Sequence, residues 1–315
     1  MIAVLNVTAP FFALVLCGYL AARYRMLPQN AVPALNTFVL YFALPCMLFR
    51  FASASAFRDI VNVPVFLAYM LTGLTGLALF AGAMRFVGGE SVRDSAFAAL
   101  AASWSNWGYM GIPLIPALLG RAALAPLIAA GMADLLVVTS AALALASLGN
   151  QSRGGVRAAL ASAVIHVARN PLAWAVIAGG TFSAFALRLP APMDQFARLL
   201  GEAAGPVALF TIGLSLYRPG APVGSASVLL IAAAKLVLHP FLVGVVVIFV
   251  FHLTQLEVHT LVLAAALPVG GTVFLFAERQ GANAEPIAAA ILVSTALAFA
   301  TFSTLCWALG IQLPS

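Results

Sequence analysis

The sequence predicts an all-α polytopic membrane protein of ten transmembrane helices, arranged as two inverted five-helix repeats whose broken fourth and ninth helices cross. Three observations carry this expectation. Apolar residues make up 63% of the 315-residue chain and charged residues only 8%, with a mean hydropathy of +1.08, whereas soluble domains are about a quarter charged. A membrane crossing takes about 20 apolar residues, and ten such stretches can be laid down. Two of them, the fourth and the ninth, carry Gly and Pro where an unbroken helix would not.

The stretches lie near 3–22, 32–51, 62–84, 96–119, 123–147, 168–187, 196–217, 225–252, 257–277 and 285–309. The first opens Met1-Ile2-Ala3-Val4-Leu5 with no basic leader, so it reads as a retained span and not a cleaved signal. With the N-terminus outside, nine arginines (Arg23, Arg25, Arg85, Arg93, Arg153, Arg157, Arg169, Arg218, Arg279) face inward and five (Arg50, Arg58, Arg121, Arg188, Arg198) face outward. Inward-biased basic loops favour both termini outside. The net charge of +6 follows from these loops. No basic stripe interleaved with aromatics appears, so no nucleic-acid partner is expected; the partner is the lipid bilayer.

The fourth stretch contains Ser103-Trp104-Ser105-Asn106-Trp107-Gly108-Tyr109-Met110-Gly111-Ile112-Pro113. A helix running in from about Phe97 is expected to interrupt near Gly111 and Pro113. Backbone groups freed at membrane depth are tolerated only where they are buried in protein or line a wet cavity, so the break marks a place to hold something polar. The bland alternative is that Gly and Pro only kink the helix.

Asp134 in the fifth stretch and Lys235 in the eighth are ionisable groups within spans, each costing about 2.5–3.5 kcal/mol at the bilayer centre on insertion scales. Asp134 reads as a proton-binding carboxylate, with Lys235 its partner or a fixed cation balancing an anionic substrate. His239, four residues on, shares the face of Lys235. A structural ion pair docking two helices, or side chains that snorkel, is the competing reading. The coupling ion is expected to be a proton. Sodium stays open, although hard cations want several oxygens. No cofactor or metal site is expected.

The polar connection Gly149-Asn150-Gln151-Ser152-Arg153-Gly154-Gly155-Val156-Arg157 divides the stretches five and five. It suggests a first repeat over 1–148, a cytoplasmic connection over 149–167 and a second repeat over 168–315. Asn170-Pro171 with Val176 and Gly179 echoes Ala9-Pro10 with Val15 and Gly18, and Pro268 in the ninth stretch answers Pro113. An odd number of spans per repeat inverts the second, the plan of many secondary transporters. Pro113 and Pro268 suit the first helical position. Two half-helix starts meeting at the midplane would suit a carboxylate. The substrate set expected at the crossing is Ser105, Asn106, Gly108, Gly111, Pro113, Pro268, Gly270, Gly271 and Thr272.

The run Asn106 to Leu114 followed by Gly120, the run Leu209 to Leu216, the run Lys235 to Pro240, and Ala266-Leu267-Pro268-Val269 continuing to Ala277-Glu278 resemble the auxin efflux carrier family over essentially the whole chain. The family includes bacterial proteins annotated for malonate or other organic acids, and its fold is similar to that of the bile acid:sodium symporters. The resemblance implies a scaffold of segments one, two, six and seven, a moving core of the other six, an elevator-type cycle, and a homodimer through the scaffold. The short central loop resembles bacterial members, which implies the bacterial cytoplasmic (inner) membrane. Plant members carry Asn-Pro at each crossing, whereas here Pro113 follows Ile112 and Pro268 follows Leu267.

The expected function is secondary active transport, by symport, of a small organic anion such as malonate. The alternatives are an auxin-like or other monocarboxylate efflux carrier, an anion channel, and an intramembrane enzyme. Neither HExxH nor GxSxG occurs, nor the GxxxxGK[ST] loop of a primary pump, so an enzyme is not expected. Cys17, Cys46 and Cys306 read as packing residues. Arg50, Glu278, Arg279, His166, His252 and His259 read as interfacial.

Overall fold

The computed structural model describes residues 2–28, 31–54, 62–148, 171–217 and 223–311. The connection 149–167, the echo at Asn170, and Arg58, Arg153, Arg157, Arg169, Arg218 and His166 lie outside the described residues. Among those described, twelve helices follow in order: α1 (Ile2–Arg23), α2 (Ala31–Ala54), α3 (Val63–Phe86), α4 (Val92–Ser103), α5 (Trp107–Leu119), α6 (Arg121–Leu148), α7 (Pro171–Ala184), α8 (Ala191–Leu216), α9 (Ala226–Val250), α10 (Gln255–Ala266), α11 (Thr272–Arg279) and α12 (Glu285–Ala308). Seven of them, α1, α2, α3, α6, α8, α9 and α12, are long and apolar enough to cross a membrane. The chain is an integral membrane protein.

Local chemistry sets the ends and the irregular turns. Asn62 caps α3, Ser91 caps α4, Ser225 caps α9, and Thr254 with Glu257 forms a full capping box on α10. Wide π-helical turns occur at Val39–Ala43, Trp107–Gly111 and Ala234–Leu238. Each precedes a proline, Pro45, Pro113 or Pro240, which lacks the donor that would have closed the normal turn. At Asp134–Val138 the Thr139 hydroxyl instead takes the Asp134 carbonyl, at 3.0 Å.

Packing groups the helices. α1 lies along α8 so closely that a side chain on Gly18 would meet the Phe210 carbonyl and one on Gly213 the Val15 carbonyl. α7 packs on α2, and α2 on α8. Arg50 Nε and Asp194 Oδ1 tie α2 to α8 at 2.9 Å. α3, α4, α6, α9, α10, α11 and α12 pack mainly on one another. Asp94 Oδ1 accepts from the Asn283 amide at 2.7 Å, and Asn62 Nδ2 donates to Glu257 Oε1 at 2.6 Å. Among the described residues, polar contacts from the α1, α2, α7 and α8 group to the other helices include Thr8 with Ser303 of α12 at 3.3 Å, and Asn36 Oδ1 accepting from Tyr109 of α5 at 3.1 Å.

Candidate functional site

α4 stops at Ser103 and α10 at Ala266, and the next residues of each run extended. Pro268 accounts for the second stop, since the residue before a proline is pushed out of helix. Trp104-Ser105-Asn106 contains neither Gly nor Pro. What holds it extended is the other break. Ser105 bridges Val269 in antiparallel sense, the Asn106 amide donates to the Pro268 carbonyl at 3.0 Å, and the Gly270 amide donates to the Trp104 carbonyl at 3.2 Å. The Val269 amide donates to Ser294 Oγ at 3.2 Å. Backbone groups freed by both breaks are thereby satisfied inside the protein.

The break in the fourth stretch thus falls earlier than Gly111 and Pro113: Gly111 ends the π turn of α5 and Pro113 follows in its α-helical part. Pro113 stands at the second position of the α-helical part of α5, directly after its π turn, whereas Pro268 lies in the extended crossing before α11 and not at a helix start.

α5 and α11 both start at the crossing, where their first-turn amides have no acceptor within the helix and carry partial positive charge. Beside them lies a cavity of about 460 Å³ lined by Ser105, Asn106, Gly108, Gly270 and Thr272, with Trp104, Trp107 and Tyr109. An adjoining lobe of about 260 Å³ adds Gly271, Asn36 and Ser215. Their linings reach residues near the starts of α2, α7 and α12: Val32 and Asn36, Pro171 and Leu172, and Ala288. Of the expected set, Gly111, Pro113 and Pro268 stand outside these linings. Gly111 backs onto the Leu267 side chain, Pro113 packs on Gly205 of α8, and Pro268 supplies its carbonyl. A separate cavity of about 820 Å³, lined by Arg50, Pro113, Arg121 and Glu257 among others, occupies the opposite end.

Behind the crossing sits a fully buried polar centre. The Lys235 ammonium donates to Ser105 Oγ at 2.9 Å and to the Ala265 carbonyl, and lies 3.0 Å from His239 Nδ1. Tyr69 OH meets Ser105 Oγ at 3.3 Å. Asp134 is 0% exposed and lies in the field of Lys235 beside the Ser105 backbone, yet neither carboxylate oxygen completes a hydrogen bond. Ser105 therefore links the buried charges to the cavity wall. Asp134 and Lys235 each sit in a π turn, which swings a side chain off the regular helical stripe. Sequence reasoning missed Tyr69, Asn36 and Tyr109. The polar heads of aromatic and amide residues in apolar stretches were the available signal. Among the described residues, no group of His, Cys, Asp or Glu is placed to hold a metal ion.

Tyr109→Phe removes the Asn36 contact and is expected to lower stability by about 1 kcal/mol. Thermal unfolding in detergent micelles measures it. An unchanged melt would mean that the Tyr109 hydroxyl gains nothing from Asn36 over water.

The family model described as membrane transport protein matches residues 3–308. The chain is 31% identical over 300 residues to a protein of Rhizobium meliloti (strain 1021) named "Putative malonate transporter", covering 94% of this chain and 92% of that one. It is 26% identical over 290 residues to the uncharacterized transporter YfdV of Escherichia coli (strain K12), covering 90% of this chain and 91% of that one. An uncharacterized transporter of Methanothermobacter thermautotrophicus matches at 25% over 291 residues, covering 90% of this chain and 91% of that one. These are membrane transporters and not enzymes. With a match running almost end to end, the chain belongs to the membrane transport protein family, that of the auxin efflux carriers.

Proposed function

We propose that the chain is a secondary active transporter of a small organic anion, a carboxylate such as malonate, working by elevator-type alternating access. The observation that carries this is the pair of helix starts, α5 and α11, converging on a cavity that no acidic side chain lines among the described residues. Backbone amides at a helix start bind anions without bringing a full counter-charge into the membrane. The name of the Rhizobium relative supports malonate.

A count of ten spans is supported by the seven long helices, the short α7, and two broken pairs, α4 with α5 and α10 with α11. The inverted repeat draws support from matching devices: the caps Asn62 and Ser225, and Ser91 and Thr254, each lie 163 residues apart. The bridged pair Ser105 and Val269 follows the same spacing within one residue. In this reading α1, α2, α7 and α8 form the scaffold and the dimer interface, and the rest moves. With both termini outside a bacterial inner membrane, the crossing cavity opens to the cytoplasm and the chain is inward-facing.

Proton coupling through Asp134 fits a buried carboxylate without hydrogen-bond partners. Sodium fits less well, because the Lys235 ammonium already takes the oxygens of Ser105 and Ala265. The test is uptake of labelled malonate by proteoliposomes under a pH gradient, a sodium gradient, or neither. The expected result is saturable accumulation driven by the pH gradient. Asp134→Asn should abolish that accumulation while sparing malonate exchange at equal pH. No carboxylate transport under any gradient would refute the reading, and accumulation by Asp134→Asn would move coupling to another group.

A further inference from the structure

We propose that Arg279 binds the second carboxylate of the transported anion and makes the crossing cavity selective for short dicarboxylates. The inference rests on the carboxylate reading above and extends it to a residue whose position at the end of an apolar stretch suggested only an interfacial role.

Arg279 is the only charged residue among the described residues lining the 460 Å³ cavity. No hydrogen bond or ion pair engages it among those residues. Arg50 is engaged with Asp194, Arg198 with Glu202, Arg85 with the Glu90 carbonyl and Arg93 with the Gly281 carbonyl. What sets Arg279 apart from the remaining described arginines is its place on the wall of the crossing cavity. A cation held at a cavity mouth with no internal partner is available to an anion.

Its placement supplies a second pole on the same wall. Thr272, Leu275, Phe276 and Arg279 all line the cavity, and their spacing of three, four and seven residues puts them on one face of α11. One helix therefore presents an amide-rich start, an apolar middle and a cationic end along a single wall. The helical rise separates the Thr272 and Arg279 backbones by about 10 Å along the axis, and the guanidinium reaches back over this interval on its flexible stem. A short chain with a carboxylate at each end can therefore meet both poles with its methylene against Leu275 and Phe276. A monocarboxylate satisfies only one pole.

The experiment is titration calorimetry of the purified full chain in lipid nanodiscs with malonate and with propionate, on wild type, Arg279→Gln and Arg279→Lys. Wild type is expected to bind malonate more tightly. Arg279→Gln should weaken malonate by about tenfold or more, the scale of a hydrogen bond to a charged group, and leave propionate within about twofold. Arg279→Lys, which keeps the charge, should lie between. Equal weakening of both ligands by Arg279→Gln, no weakening of either, or equal wild-type affinity for the two would overturn the role of Arg279 while leaving a carboxylate site. A wild type that binds neither ligand would remove the carboxylate reading, and this inference with it.

Discussion

Lys235→Met is expected to abolish transport and to cost the folded chain about 3–5 kcal/mol, the penalty for removing one member of a buried charged cluster. The ammonium is 0% exposed and answers three acceptors: Ser105 Oγ, the Ala265 carbonyl and His239 Nδ1. Without it, the Ala265 carbonyl at the end of α10 loses its partner, and Ser105 keeps only the longer contact to Tyr69. Asp134 would then stand in an apolar interior with no nearby cation. The double variant Asp134→Asn with Lys235→Met removes that uncompensated charge, so it should be more stable than Lys235→Met alone, a non-additivity characteristic of groups in one network. Thermal unfolding of the four proteins in micelles reads the cycle. Strict additivity would mean that the two charges do not sense each other.

Gly270→Val is expected to destroy the crossing, with transport lost and stability lowered by about 1–3 kcal/mol, as overpacking does. A side chain there would sit 2.5 Å from the Trp104 ring and 3.1 Å from the Ser105 carbonyl. Making room means parting the two extended segments and breaking the Gly270 to Trp104 hydrogen bond that joins them. Gly271 and Gly108 supply the control, because a Cβ at either meets nothing within 4 Å. Gly271→Ala and Gly108→Ala should melt within about 0.5 kcal/mol of wild type. If Gly270→Val transports as they do, the close fit at the crossing has no role in the cycle.

Composition and periodicity disclosed the membrane class, and the helices fall close to the apolar stretches because span length is set by bilayer thickness. Asp134 and Lys235 were visible because a charge inside an apolar stretch is expensive. The position of the first break was not visible. Local propensity pointed to Gly111 and Pro113, the strongest helix breakers nearby, whereas the chain leaves the helix at Trp104-Ser105-Asn106, where backbone partners come from Pro268 and Gly270. That information lies more than 150 residues away in the chain. The same holds for Ser105 and Lys235, whose bond joins positions 130 apart. Arg279 was discounted for its place at the end of a stretch, and only the path of α11 shows that it lines the same wall as Thr272.

The seam between α1 and α8 bears on how the chain is made. Gly18 and Gly213 let the two backbones approach until neither position accepts a side chain, so α1 finds its main partner only once α8 has been synthesised. At about 5–20 residues per second, the first helix to leave the ribosome waits on the order of tens of seconds in the bilayer before its docking groove exists. Docking of α1 therefore comes late: truncation after α7 would leave α1 inserted without its α8 groove, a natural target for membrane quality-control proteases.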